Sequence, residues 1–254
     1  MKKIWIIFKR ELAGIFQNPG IYVVSGLFVF LLSSLVIYGI EDYQKRSGRD
    51  PLPGEVAQDY TQTMIGSSLG AVSILFVFIV PIIAMRAFSE EKKSGLYELI
   101  TTWPVTDLQV LLGKFFSLCA VMFLMESIVF VYIVVFYSFG RLDFGVIFSA
   151  LIGLSLITFA YISFGLFASS VTENQIIAAI ITFIGLFFFW IIQNLGGDTS
   201  GLYSRICDAI SISNHYANFA RGEVSMADFA YFIAFTLMWL FMSLRSLEIR
   251  RWIA

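Results

Sequence analysis

Histidine is almost missing from this chain of 254 residues: His215 is the only one. A metal centre built on several imidazoles is excluded for the chain on its own. The two cysteines, Cys119 and Cys207, are too few for a disulfide framework. Both sit among apolar neighbours and read as free buried thiols, which leaves the redox compartment open. Charge is thin as well. Charged residues make up 14% of the chain, against roughly 25% in an ordinary soluble domain. Seventeen basic and eighteen acidic side chains leave a net charge of −1, so no basic excess points to nucleic acid. The motifs of self-contained chemistry are wanting too. Gly113-Lys114 lacks the upstream glycine and the following hydroxyl of a phosphate loop, and neither H-E-x-x-H nor G-x-S-x-G occurs. The sequence therefore offers no catalytic, cofactor-binding or metal-ligating residue, and the expectation is a chain that is not itself an enzyme.

What it has in abundance is apolar surface: 58% hydrophobic residues, with 27 phenylalanines. So few charges could not cover a water-soluble globule of this size, and the chain reads as a membrane protein. A spanning helix needs about 20 mostly apolar residues. Six runs qualify: Ile21–Ile40, Ile65–Met85, Phe115–Phe139, Phe144–Val171, Ile176–Gln193 and the shorter Phe229–Leu244. The sole acid inside them is Glu126. Burying it costs about 2.5–3.5 kcal/mol on insertion scales, so it should face protein or water. It is either a hydrogen-bonding residue, with Tyr132 or Tyr137 nearby, or a contact for substrate or protons.

Residues 2–17 form a different helix. Ile4, Phe8, Leu12 and Ile15 recur at helical spacing, which suits an amphipathic helix lying in the interface plane, with Lys3 and Arg10 toward anionic headgroups. Asn18-Pro19-Gly20 should break it from the first span. Lys2 and Lys3 imitate a signal peptide, but Lys9, Arg10 and Glu11 interrupt the apolar stretch at once, so the N-terminus is expected to be retained. Six spans put both termini on one face. The segments on that face carry 11 basic residues against 6 on the other, and the positive-inside rule makes it cytoplasmic. The expected domain plan is a single membrane domain over 1–254, with an interfacial helix over 1–18, a cytoplasmic loop over 86–114 and an external segment over 194–228.

The loop is the most ordered segment outside the spans. Glu90, Glu91, Lys92 and Lys93 make a turn of mixed charge, and Leu96, Leu99 and Ile100 give a short apolar face opposite Glu98. Trp103-Pro104 stops that helix, and Thr106 to Gln109 is a capping box that opens the next. Gly66-x-x-x-Gly70 permits close helix packing, and Pro81 should kink the second span and aim the loop. In the external segment, Ile206, Ile210 and Ala217 would share one side, and His215 reads as a hydrogen-bonded structural residue more readily than as a sensor.

The order acidic pair, basic pair, glycine, glutamate, leucine, proline, then Gly-Lys entering a span resembles the first cytoplasmic loop of ABC-2 type permeases. These are membrane subunits of ABC transporters whose ATPase is a separate chain. The likeness extends to Lys9-Arg10-Glu11-Leu12 in the interfacial helix, and to Asn214 through Val224, which is similar to a stretch of the gliding-motility permeases. The resemblance implies an all-α, ABC-2 permease-like fold: an interfacial helix, six spans and two short external helices that dip into the outer leaflet, where the residues alone also admit a surface amphipathic helix. It implies an exporter subunit in the inner membrane, paired with a second permease, identical or related, and driven by two ATPase subunits. Glu90, Glu91, Gly95 and Glu98 would sit at the ATPase contact, framed by Pro104 and Lys114. Two other readings remain: a stand-alone secondary transporter or channel using Glu126, and a membrane scaffold of a motility machine. No charged ring or aromatic cage names a substrate.

Overall fold

The computed structural model describes residues 2–47, 66–96, 105–137, 143–196 and 201–253, and these are helical with no strand among them. In chain order the helices are α1 (Lys2–Gln17), α2 (Pro19–Ser47), α3 (Ser67–Ala84), α4 (Arg86–Lys93), α5 (Asp107–Tyr137), α6 (Phe144–Val171), α7 (Gln175–Gly196), α8 (Leu202–Ile210), α9 (Ile212–Ala220) and α10 (Met226–Ile253). Six are long and apolar enough to cross a membrane: α2, α3 continued through α4, α5, α6, α7 and α10.

The arrangement follows from where the chain can bury helices on all sides. In α6, 67% of the apolar window is buried inside the protein, against 22% in α2, α7 and α10. It is the central helix, packed by α3, α5, α7, α9 and α10. The outer helices turn Val23, Phe30, Ile176 and Leu237 outward, as lipid-facing positions should be. Glycine sets several close approaches, two of which seat the short helices. A Cβ on Gly153 would lie 2.6 Å from Phe219, so only hydrogen lets α9 rest on α6. At Gly113 a Cβ would lie 2.6 Å from Ile7, which seats α1 directly on α5. Gly70 has open space around it and Gly66 meets only the Ala220 carbonyl, at 3.4 Å. The tight glycine crossings within this chain thus lie elsewhere than at that pair.

Local signals decide most helix ends. Asn18 separates α1 from α2 and accepts a hydrogen bond from Gly20 N at 2.9 Å, with Pro19 in the first helical position, where a missing N–H costs nothing. Thr106 and Gln109 exchange reciprocal 3.4 Å hydrogen bonds at the start of α5. Asp143 caps α6 through Gly145 N at 2.8 Å. One turn after Pro81 the second span breaks at Met85, and the charged helix α4 begins.

Three expectations need correction. The third span begins at Asp107, not Phe115, because Lys114 is neutralised inside the protein and does not end the apolar run. The sixth begins at Met226 and stays apolar to Ile249, as Asp228 and Arg245 are both accommodated within the helix. In the segment expected to be external, the buried face is Cys207, Ile212, Tyr216 and Phe219, while Ile206 and Ile210 are exposed. Helix α8 ends at Ser211, whose hydroxyl caps α9 through Asn214 N at 3.2 Å, so one helical periodicity cannot run through both α8 and α9.

Candidate functional site

On the face that carries both termini, four charged side chains from three helices close on one another. The Lys114 ammonium, on α5, is 2% exposed and donates to Glu91 Oε1 of α4 at 2.8 Å and to Glu11 Oε2 of α1 at 3.0 Å. Arg10 donates to Glu11 Oε1 at 2.6 Å and lies 3.5 Å from Glu91 Oε1. The Lys114 ammonium also sits 5.3 Å over the Phe88 ring. An isolated buried ammonium would be very costly, and two carboxylates plus the outer guanidinium bring the cluster to charge balance. Burial alone would raise the Glu11 carboxyl, but Lys114 and Arg10 outweigh it through charge and hydrogen bonds and hold its pKa below the usual carboxylate value.

A second set of contacts fastens α4 to the end of α6. The Ser169 hydroxyl accepts from Phe88 N at 3.0 Å and Ser89 N at 3.1 Å, and it donates to Met85 O at 3.1 Å. It thus stitches the α3–α4 joint, where the helical ladder is interrupted. The Ser170 carbonyl accepts from the Lys92 ammonium and from Ser246 Oγ of α10, the latter at 3.1 Å. Phe88, Ser89, Glu91 and Lys92 of α4 therefore tie it to α1, α5 and α6, and Lys92 shares the Ser170 carbonyl with α10. Their outer side stays free: Glu90, Lys93 and Leu96 are exposed. Gly95 follows with φ +73°, a left-handed conformation that suits glycine and turns the chain away from α4. Beside the cluster, between α1, α2, α3 and α4, opens a cavity of about 880 Å³.

Of the residues singled out in the loop, Glu90 faces outward, Glu91 and Lys114 face each other inside, and Glu98 and Pro104 lie outside the described residues. The helix expected around Leu99 and Ile100 also lies outside them. Arg10 does not turn to headgroups alone; it closes the ion cluster. Glu11, Ser169 and Ser170 were not singled out from the sequence as site residues. A lone lysine at position 114 inside an apolar run was the available signal, because such a charge demands acidic partners.

Glu126 is buried at mid-span and accepts from Thr158 Oγ1 at 2.6 Å and Ser155 Oγ at 3.1 Å, both on α6. Tyr132 instead pairs with Ser33 of α2 at 2.6 Å, and Tyr137 is exposed. The Tyr216 hydroxyl of α9 is buried close enough to feel the Glu126 charge; burial first, and that carboxylate second, push its pKa well above the usual phenol value. At the opposite face, His215 Nδ1 lies 2.5 Å from Asp228 Oδ1 and Nε2 lies 3.2 Å from the Ala209 carbonyl, while Asn218 donates to Asp228 Oδ2 at 2.9 Å. His215 is a hydrogen-bonded tie between α8, α9 and α10. Both cysteines are free and buried.

The ABC-2 family transporter protein model matches residues 38–242, most of the chain and four of its six candidate spans in full. The chain belongs to the ABC-2 family of transporter proteins. It is a multi-pass membrane component of an ABC transporter, and the family's role is transport, not catalysis. Members of this family generally work with an ABC ATPase and dimerise. No curated protein gives a significant match to the chain.

Proposed function

We propose that this ABC-2 permease subunit converts ATP hydrolysis on a separate ATPase chain into movement of its spans, with α4 and the loop after it as the coupling segment. The observation that carries this reading is the attachment of α4. A push on its exposed side, at Glu90, Lys93 and Leu96, has little to deform locally. It is passed through Lys114 to α1 and α5, and through Ser169 and Ser170 to α6 and α10. A loop that only connected two spans would have no use for a buried ion cluster across three helices. In this scheme Glu90, Gly95 and Glu98 meet the ATPase, Pro104 ends the contact segment, and Glu91 and Lys114 anchor it to the spans. The face with both termini is cytoplasmic, as the basic excess requires, and the membrane is the inner one. The working particle contains two permease subunits, either two copies or a related pair, and two ATPase subunits. Export is the direction that the family resemblance favours.

Reversing charge on the outer face tests the scheme. The double variant Glu90→Lys with Glu98→Lys should insert and fold normally yet lose stimulation of the ATPase by the permease, and transport with it. Unaltered ATPase recruitment and stimulation in reconstituted vesicles would overturn the assignment. Glu126, held by two hydroxyls of one neighbouring helix, acts in this reading as a pin between α5 and α6.

A further inference from the structure

We propose that α1 docks on acidic phospholipids of the adjoining leaflet, through a face other than the one its apolar repeat suggests. That repeat is spent on the protein. Ile7 is buried where Gly113 lets it reach α5, Leu12 and Ile15 pack against the core, and Glu11 points to Lys114. The exposed side carries Lys2, Trp5, Ile6, Lys9 and Phe16, which fall on one side of the helix by their three- and four-residue spacing.

Three observations give the partner. The first is apolar area: Trp5 is 57% and Ile6 65% exposed. Next to lysines, such side chains suit the headgroup layer, where amphipathic helices lie and tryptophan collects. The second is depth. Helix α1 ends at Gln17, two residues before α2 begins at Pro19. The exposed Tyr22, in the first turn of that span, donates from its hydroxyl to the Phe16 carbonyl at 3.0 Å. The face is thus fixed at the membrane end of α2. The third is the sign of the charge. Glu11 is the sole acid of α1, and Lys114 and Arg10 hold it in the ion cluster. Lys2 and Lys9 therefore stand on the face two turns apart, with the exposed Lys3 at its edge and no acid of α1 among them. The Lys9 ammonium lies 5.4 Å over the Trp5 ring, and Trp5 stacks on Phe8 with centres 5.0 Å apart. A net negative headgroup is attracted by both lysines, whereas a zwitterionic one brings its own cation with its phosphate. The exposed apolar side chains favour a bilayer over the acidic surface of a protein.

The inference stands apart from coupling to an ATPase, because lipid contact is read on the permease chain alone. The full chain is placed in phosphatidylcholine vesicles at low ionic strength. These contain a trace of photoreactive phosphatidylglycerol or photoreactive phosphatidylcholine, and adducts are mapped by peptide mass spectrometry. The acidic probe should label residues 2–17 about fivefold more than the zwitterionic one, the factor expected for a lysine near an acidic surface. The preference should fade in about 1 M salt. Lys2→Gln combined with Lys9→Gln should bring the probes toward parity, while labelling of the lipid-facing α7 stays unchanged as a check of insertion. Equal labelling by both probes in the unaltered chain would overturn the proposal, as would an undiminished preference in the double variant. Absence of adducts over residues 2–17 from either probe would overturn it too, and would assign the face to a protein partner.

Discussion

The two faces of the bundle both anchor short helices through buried carboxylates, but they finish the task differently. At the face away from the termini, Asp228 uses one oxygen for His215 and the other for Asn218, and both nitrogens of His215 face acceptors. Tyr231 stacks on His215 with ring centres 4.0 Å apart and donates to the Ile210 carbonyl at 2.6 Å. Every polar atom of Asp228 and the His215 ring is engaged within the protein, so the cluster acts as a latch. At the termini face, Lys114 is equally well held, yet the same cluster leaves the buried Glu91 Oε2 without a partner among the described residues and leaves Glu90 and Lys93 exposed. A satisfied cluster closes a structure, whereas a partly open one offers it to something else. The difference separates structural capping from the face proposed to meet the ATPase.

The comparison can be broken most forcefully at Lys114. Lys114→Met removes the buried cation that Glu11 and Glu91 share, leaving two carboxylates with only the half-exposed Arg10 to balance them. Breaking a buried pair from one side costs about 3–5 kcal/mol. The expected outcome is a large fall in the thermal unfolding midpoint, release of α1 measured as faster hydrogen exchange over residues 2–17, and loss of any ATPase stimulation. Wild-type exchange in α1 would show that the glycine contact at Gly113, not the ion cluster, holds that helix.

A smaller effect is expected from the latch. Asp228→Asn keeps the shape but turns one acceptor into a donor facing either His215 or Asn218, at a cost of about 1–3 kcal/mol for a mismatched buried hydrogen bond. Exchange protection should fall in α8 and α9 while α1 and α4 are unaffected, because no contact links Asp228 to the other face. A change in ATPase stimulation without a change in stability would blur the distinction between the two clusters.

These two clusters also mark the limits of what sequence alone could tell. Span number and the break at Asn18-Pro19 were legible, because hydropathy and proline chemistry act locally. The capping box at Thr106 was legible for the same reason. That the apolar span reaches back past Lys114 to that cap was not: charge inside an apolar run reads as a terminus until its partners are known, and those of Lys114 lie 103 and 23 residues away. Glu11 looked like one polar residue on an amphipathic helix, and its role depends on α1 folding back onto α5. Ser169 and Ser170 carried no signal, since hydroxyls near a helix end are common and only the docking of α4 gives them work. The family resemblance drew attention to the loop, while the direction in which Glu91 points is a tertiary fact.

The smallest expected effect sharpens the comparison through pH. The Glu11 carboxyl has its pKa held below the unfolded value of 4.5 by Lys114 and Arg10. A carboxylate with a depressed native pKa binds protons more readily when unfolded, so its stabilising contribution is complete above the unfolded value and is lost as pH falls through the folded one. Acidification from pH 6 to below about pH 4.5 should therefore loosen the attachment of α1, read as rising exchange over residues 2–17. Glu11→Gln should start from lower stability at neutral pH and show a flatter acid response in that helix. An acid response of α1 that is just as steep in Glu11→Gln would place the titrating group elsewhere in the cluster, with Glu91, across the same ammonium, as the next carboxylate to test.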